Sequence, residues 1–234
     1  MIGDKERADI QEALLLLYLR LNGYFVSSFI VHSCEWGRNI TQIDALAVRH
    51  PFNREPDRVV RPSDFLKPKG TDLLVCEVKS QSQPLQFNES FRKNDAAIRN
   101  VLDWAGLFDQ EETARIARDL KPLLRPSTPA SEAERGVPGP RETTVRPLLC
   151  SPERRSCRET QPWFLCEREM FSYIAECLNP EAKRATCSTR YDINLWGSSL
   201  APLVRHFKGL PPGDQGSLQG LYSYLHAMER LARL

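Results

Sequence analysis

Apolar residues recur at steps of three and four near the start of the chain. Leu14, Leu15, Tyr18, Leu19 and Leu21 share one side of a helix that begins near Asp4 and stops at Gly23. Asp4 suits the N-terminal cap, and Gly23 the left-handed residue after the last turn. The period then changes. Residues 24–32 are rich in aromatic and β-branched side chains, which predicts a strand. Residues 33–39 read as a turn and 40–48 as a second strand, so the two form an antiparallel hairpin. Residues 51–70 hold four prolines and many charges. They read as a long loop with a short helical turn at 62–66, a length that points to an insertion or a functional loop. Residues 72–79 form a third strand. A helix over 88–108 follows, with Phe91, Ile98, Val101, Leu102 and Leu107 on its apolar face, and a further helix runs over 111–124. Residues 122–152 carry seven prolines and read as the least regular part of the chain. Within them, 145–149 suit a short strand. Residues 161–166 form another, leading into a helix over 167–178. At the end Leu218, Leu221, Tyr222, Leu225, Met228 and Leu231 line an amphipathic helix that packs on the body or on a partner.

This order predicts an α/β fold: a mixed central β-sheet flanked by α-helices. Residues 1–120 form the core and 121–160 a proline- and arginine-rich irregular segment. Residues 161–234 supply the remaining core strand and helices, within the same domain.

Composition narrows the picture. Hydrophobic residues make up 41% of the 234, ordinary for a folded domain. The net charge of +2 provides no global basic field, so a nucleic-acid partner would need local patches. Seven scattered cysteines without a Cys-x-x-Cys pair read as reduced thiols rather than a disulfide frame or a zinc site. The charged N-terminus and the shortness of the longest apolar run, residues 13–19, predict a soluble, cytoplasmic protein with no membrane partner.

One short segment carries chemistry. Glu77 and Lys79 lie two apart in a strand that otherwise reads Leu73-Leu74-Val75-Cys76, so both point to one side of the sheet. Two charges on a buried strand are costly unless paired or coordinated. A divalent metal shared with a second carboxylate would relieve that cost, and a hard cation such as magnesium prefers carboxylate oxygens. Glu-x-Lys by itself is a weak signal, since Glu181-Ala182-Lys183 repeats it in a polar stretch. Its context adds the weight.

Glu12 on the leading helix, Gln42-Ile43-Asp44-Ala45 in the hairpin and Cys76-Glu77-Val78-Lys79-Ser80 together resemble the PD-(D/E)xK nuclease superfamily, which includes restriction endonucleases and Holliday-junction resolvases. The likeness spans about residues 8–108. It implies a restriction endonuclease-like core and a magnesium-dependent nuclease, with manganese able to substitute. Asp44 and Glu77 would hold the metal, the Val78 carbonyl would add a ligand, and Glu12 would match the helix glutamate that some members place at the metal site. Lys79 would position the attacking water, and Gln81 would orient Lys79 or meet a phosphate. The implied substrate is nucleic acid, DNA first, in a restriction, repair or anti-phage defence setting. The chain departs from the pattern in having Ile43 before the first acid and a step of 33 positions from Asp44 to Glu77. Asp57, Asp64 and Asp72 are therefore rivals for the first acid; Asp44 is preferred for its apolar strand context.

Plainer roles stand beside these. Asp44 could pair with Arg49, Glu77 with Lys79 on an exposed face, and Glu12 could face solvent. Arg92 and Lys93 suit a solvated helix face or phosphate contact. Arg141, Arg146, Arg154, Arg155 and Arg158 could track a nucleic-acid backbone. The fold could also serve as a non-catalytic nucleic-acid-binding or assembly subunit, joined to a protein partner or a second copy through its C-terminal helix. No phosphate-binding glycine loop, HExxH motif or nucleophile elbow is present.

Overall fold

The structure, a computed structural model, describes residues 3–32, 39–53, 61–156, 162–181 and 193–232. Helix α1 (Asp4–Leu21) is capped by Gly3, with Asp4 inside the first turn rather than at the cap. Gly23 follows it at φ 82°, as a left-handed stop requires. Strands β1 (Phe25–His32) and β2 (Asn39–Arg49) form the antiparallel hairpin, and β3 (Thr71–Val78) pairs antiparallel with β2. The turn expected over 33–39 lies almost wholly outside the described residues, as does Asp57.

The helix expected over 88–108 is divided into α2 (Glu89–Arg92) and α3 (Asp95–Ala105). Asn94 causes the break: its side chain accepts from the Ala96 and Ala97 amides and starts a new helix. Helix α4 (Gln110–Leu123) opens on a capping box of Asp109 and Glu112. Then come α5 (Ala130–Arg135), β4 (Val137–Pro138), β5 (Thr143–Ser151) and β6 (Phe164–Cys166). Helices α6 (Glu167–Leu178), α7 (Ala201–Gly209) and α8 (Leu218–Ala232) complete the chain. The tail helix packs on the body through Leu218, Leu221 and Tyr222.

The proline-rich segment is therefore more regular than its composition suggests, and β5 is an interior strand. It pairs parallel to β3 along its length, and β4 and β6 share its other edge at opposite ends. Pro147 lies in the middle of it, opposite Val75. The Cys150 carbonyl accepts the Lys79 amide, so Cys150 faces β3 and Pro147, three residues away, faces the other edge. There it falls between the stretch paired with β4 and the stretch paired with β6, where no ladder bond needs its missing N–H.

The six-stranded sheet, in the order β1-β2-β3-β5-β4 with β6 beside β5, is mixed and carries helices on both faces. The α/β architecture read from the sequence is thus the observed one. On one face Leu74, Cys76, Leu148 and Cys150 pack against α1, α6, α7 and α8. On the other, Leu73, Val75, Val145 and Leu149 pack against α3 and α4. The side chains of β3 alternate between these cores. Cys76, Cys150, Cys166 and Cys177 are buried. No helix among the described residues is long and apolar enough to cross a membrane.

Candidate functional site

Glu77 and Lys79 stand at the C-terminal end of β3, on the α3–α4 face. Neither is exposed: Glu77 retains 1% of its accessible surface and Lys79 6%. The exposed-face pairing weighed from the sequence is thus excluded, although the two do pair. Lys79 Nζ donates to Glu77 Oε1 at 2.5 Å and to Asn88 Oδ1 at 2.8 Å, while the Asn88 amide donates to Glu77 Oε2 at 2.8 Å. Asn88 closes a three-residue ring around the ion pair. The backbone of Lys79 is fixed as well, its N–H on Cys150 O and its carbonyl accepting the Ser151 hydroxyl.

Asp44 reaches the same end of the sheet from β2, one position past the last paired residues, Ala45 and Cys76. An irregularity in the hairpin places it there. Ser27 pairs with Leu46 and Phe29 with Ile43, so two steps on β1 match three on β2. The extra residue is a bulge at Asp44–Ala45, a device that re-aims side chains. Ile43 and Leu46 both enter the α3–α4 core, while Ala45 enters the α1 core. Asp44 Oδ2 accepts the Val78 amide at 2.7 Å. Arg49 is occupied elsewhere, on the carbonyls of Asn22 and Asn53, so it is not the partner of Asp44.

Glu12 approaches from α1, half-buried. Burial first, and then the charges of Asp44 and Asp9, push its carboxyl up to about 7. Burial raises Asp44 too, against the Val78 amide and Lys79. It raises Glu77 against the hydrogen bond and charge of Lys79, with Asp44 adding to the rise. Asp44 is thus electrostatically linked to an acid on each side, and all three carboxyls resist ionisation chiefly because they are buried.

Among the described residues no group of three or more His, Cys, Asp and Glu side chains is arranged to hold a metal ion. The donor set expected for magnesium, Asp44, Glu77, Glu12 and the Val78 carbonyl, contains three such side chains and is not drawn together as one group. Oxygen donors and buried carboxylates short of counter-charge fit a hard cation that keeps several of its waters. Each carboxylate oxygen also retains a lone pair beyond the bond it accepts.

The linkage yields a prediction. A carboxyl raised in the folded state favours folding when protonated, so its contribution is present below about pH 4.5 and lost as pH rises through about 7. Metal-free Glu12→Gln is expected to melt above the wild type at alkaline pH, by on the order of 1 kcal/mol once solvent screening of this half-exposed group is allowed for. The difference should vanish towards pH 4. Calorimetric melts across that range check it, and equal melting temperatures at pH 8 would contradict the linkage.

The remaining sequence candidates have other duties. Asp72 is 1% exposed at the opposite end of β3 and on the opposite face, where it is bound by Arg146 and the Tyr24 hydroxyl. It cannot be the first acid. Asp64 lies exposed in the turn before Leu66. Lys79 Nζ donates to Glu77 and Asn88, while Gln81 borders the neighbouring cleft. The Gln81 backbone N–H donates to Glu153, and Arg154 donates to the Gln81 and Gln83 carbonyls. Lys93 pairs with Glu89 on a solvated face. The expected basic track is dispersed: Arg146 is buried, Arg141 binds the Leu107 carbonyl and Arg154 the loop after β3, while Arg158 lies outside the described residues.

Beside the acids opens a cleft of about 640 Å³, bounded by Arg7, Gln11, Glu12, Val78, Gln81 and Glu153, among others. Glu12 and Val78 border it; Asp44, Glu77 and Lys79 are set back from its wall. Comparison with protein-family models, with curated proteins and with solved structures finds no match to this chain.

Proposed function

We propose that the protein is a metal-dependent nuclease that hydrolyses phosphodiester bonds, with DNA as its substrate. The observation that carries this reading is the buried Glu77–Lys79–Asn88 ring at the end of β3, with Asp44 and Glu12 beside it and a cleft alongside. Asp44, Glu77 and the Val78 carbonyl would hold magnesium, or manganese in its place. The ion would supply positive charge at the scissile phosphate and make attack by water feasible near neutral pH. Lys79 has three N–H donors, two of which go to Glu77 and Asn88. The third can meet the attacking water or a phosphate oxygen, and the ring holds it in place before substrate arrives. Glu12, with a carboxyl that titrates near 7, is suited to take or release a proton close to the operating pH. Incubating the protein with circular and linear DNA tests the reading. Cleavage should require magnesium or manganese and cease with chelator.

A second reading follows from the same ring. Both oxygens of Glu77 already accept hydrogen bonds, one from the Lys79 ammonium, so the acid is satisfied without a metal ion. The fold would then be a non-catalytic nucleic-acid-binding or assembly subunit. Metal binding separates the two. In the nuclease reading, magnesium at a hundredfold excess over its Kd should stabilise the wild type by about 2.7 kcal/mol and leave Asp44→Asn unmoved. A wild type whose melting ignores both metals favours the subunit.

A further inference from the structure

A second pocket, of about 300 Å³, lies at the other end of β3. Its floor at Asp72 is five steps along the strand from Glu77, or roughly 16 Å. Its lining carries the opposite charge from the first cleft. That cleft sets one cation, Arg7, against Asp4, Glu12 and Glu153. In the second pocket Arg146 and Asp72 neutralise each other on the floor, which leaves Lys67, Lys69 and Arg135 facing one acid, Glu134. Lys67, Lys69 and Arg135 form no ion pair or side-chain hydrogen bond among the described residues. The hydroxyls of Ser131 and Thr144 add neutral donors to the lining.

The loop that presents the two lysines is held in shape. Lys67 has φ 40°, in the left-handed region, where a lysine is strained. The Ser63 carbonyl accepts its amide and that of the fully buried Leu66, and Pro68 follows. Gly70 closes the loop at φ 62°, where a β-carbon would stand 2.1 Å from the Glu142 carbonyl oxygen. Like charges drawn around one cavity repel each other, and a bound anion offsets that repulsion.

We propose that this pocket binds a small phosphate-bearing anion, with Lys67, Lys69 and Arg135 as its ligands and the neutralised Arg146–Asp72 pair as its floor. The volume is at the lower end of small-molecule sites and suits a phosphate or diphosphate with little more than a sugar attached. Arg135 can grip two phosphate oxygens, and the lysines act as point charges. The site is separate from the carboxylates, so it stands whether or not they cleave DNA.

Calorimetric titration of the whole protein with pyrophosphate and with adenosine monophosphate tests the proposal. Saturable one-to-one binding is expected, weakened at least tenfold in the Lys67→Ala/Lys69→Ala/Arg135→Ala variant and unchanged in Lys93→Ala. All four positions are exposed; should the triple variant fail to fold, Lys69→Glu alone should weaken binding by a similar factor. No saturable heat with either anion at 10 mM, or equal affinity in wild type and variants, would overturn it. A 5′-phosphorylated oligonucleotide distinguishes the sources of phosphate. If its binding falls in the triple variant and pyrophosphate displaces it, the site takes a strand phosphate. If its binding ignores the variant while the small anions need the cations, the site takes a free ligand.

Discussion

Replacing Arg146 by alanine is expected to destabilise the protein by about 3–5 kcal/mol, as removal of one member of a buried ion pair does. Asp72 and Arg146 lie on adjacent parallel strands, 1% and 4% exposed. Arg146 Nε donates to Asp72 Oδ1 at 2.8 Å, its Nη2 donates to Oδ2, and the Tyr24 hydroxyl donates to the same carboxylate. The guanidinium also lies 4.9 Å from the centre of the Trp163 ring, and Trp163 stacks on Phe65. Without Arg146 the carboxylate keeps its burial and loses its counter-charge. Asp72→Ala should cost a comparable amount for the mirror reason. Replacing both by apolar residues of similar volume should cost much less than the sum of the two singles, because no charge is then stranded. Urea unfolding of the two singles and the double measures this. A loss below 1 kcal/mol in both singles would mean that the pair is solvated and does not tie β3 to β5.

The same pair shows what can be read from the sequence and what cannot. An acid in an apolar strand looks alike whether it is structural or functional, so Asp72 rivals Asp44. Strand parity separates them: Asp72 is an odd number of steps from Glu77 and must face the other side of the sheet. Glu77 and Lys79 are legible because two opposite charges at period two within an apolar run must find each other or a ligand. Asn88 is not legible. Its only signal is that of a residue opening a helix, and what binds it to Glu77 is the path of the loop from Ser80 to Phe87, which no periodicity encodes. The bulge at Asp44–Ala45 is hidden for a related reason: a bulge breaks alternation at a point that only the facing strand reveals. Pro147 misleads in the opposite direction. Proline opposes a strand only where a ladder bond is needed, and the gap between β4 and β6 removes that need.

If the protein cleaves DNA, Lys79→Ala should lower the rate about 10²- to 10³-fold, the range found when one preorganised donor to a transition state is removed. Lys79→Arg should rescue little of it. The lysine occupies a gap set by Glu77 Oε1 and Asn88 Oδ1, 2.5 and 2.8 Å from its nitrogen, and a planar guanidinium is too broad for a space made for a compact ammonium. Glu77→Gln should fail as severely, since it removes a charge both from the metal donors and from the partner of Lys79. It keeps the side chain's shape and one acceptor but leaves the buried Lys79 without its counter-charge, so urea unfolding of the variant is measured beside its cleavage. Asn88→Ala is the informative variant. Asn88 is a positioning residue, and its loss leaves Lys79 charged and paired but free to shift, for a rate loss of about tenfold to a hundredfold. Metal affinity separates that effect from general damage. Asn88→Ala should bind magnesium nearly as the wild type does, whereas Glu77→Gln should bind it much more weakly. Single-turnover cleavage at saturating metal, beside metal titrations of the same proteins, reads both quantities. Cleavage that persists in Lys79→Ala and Glu77→Gln would remove the active site from the end of β3. Cleavage lost in Asn88→Ala together with metal binding would give Asn88 a structural part in the metal site rather than a hold on the lysine.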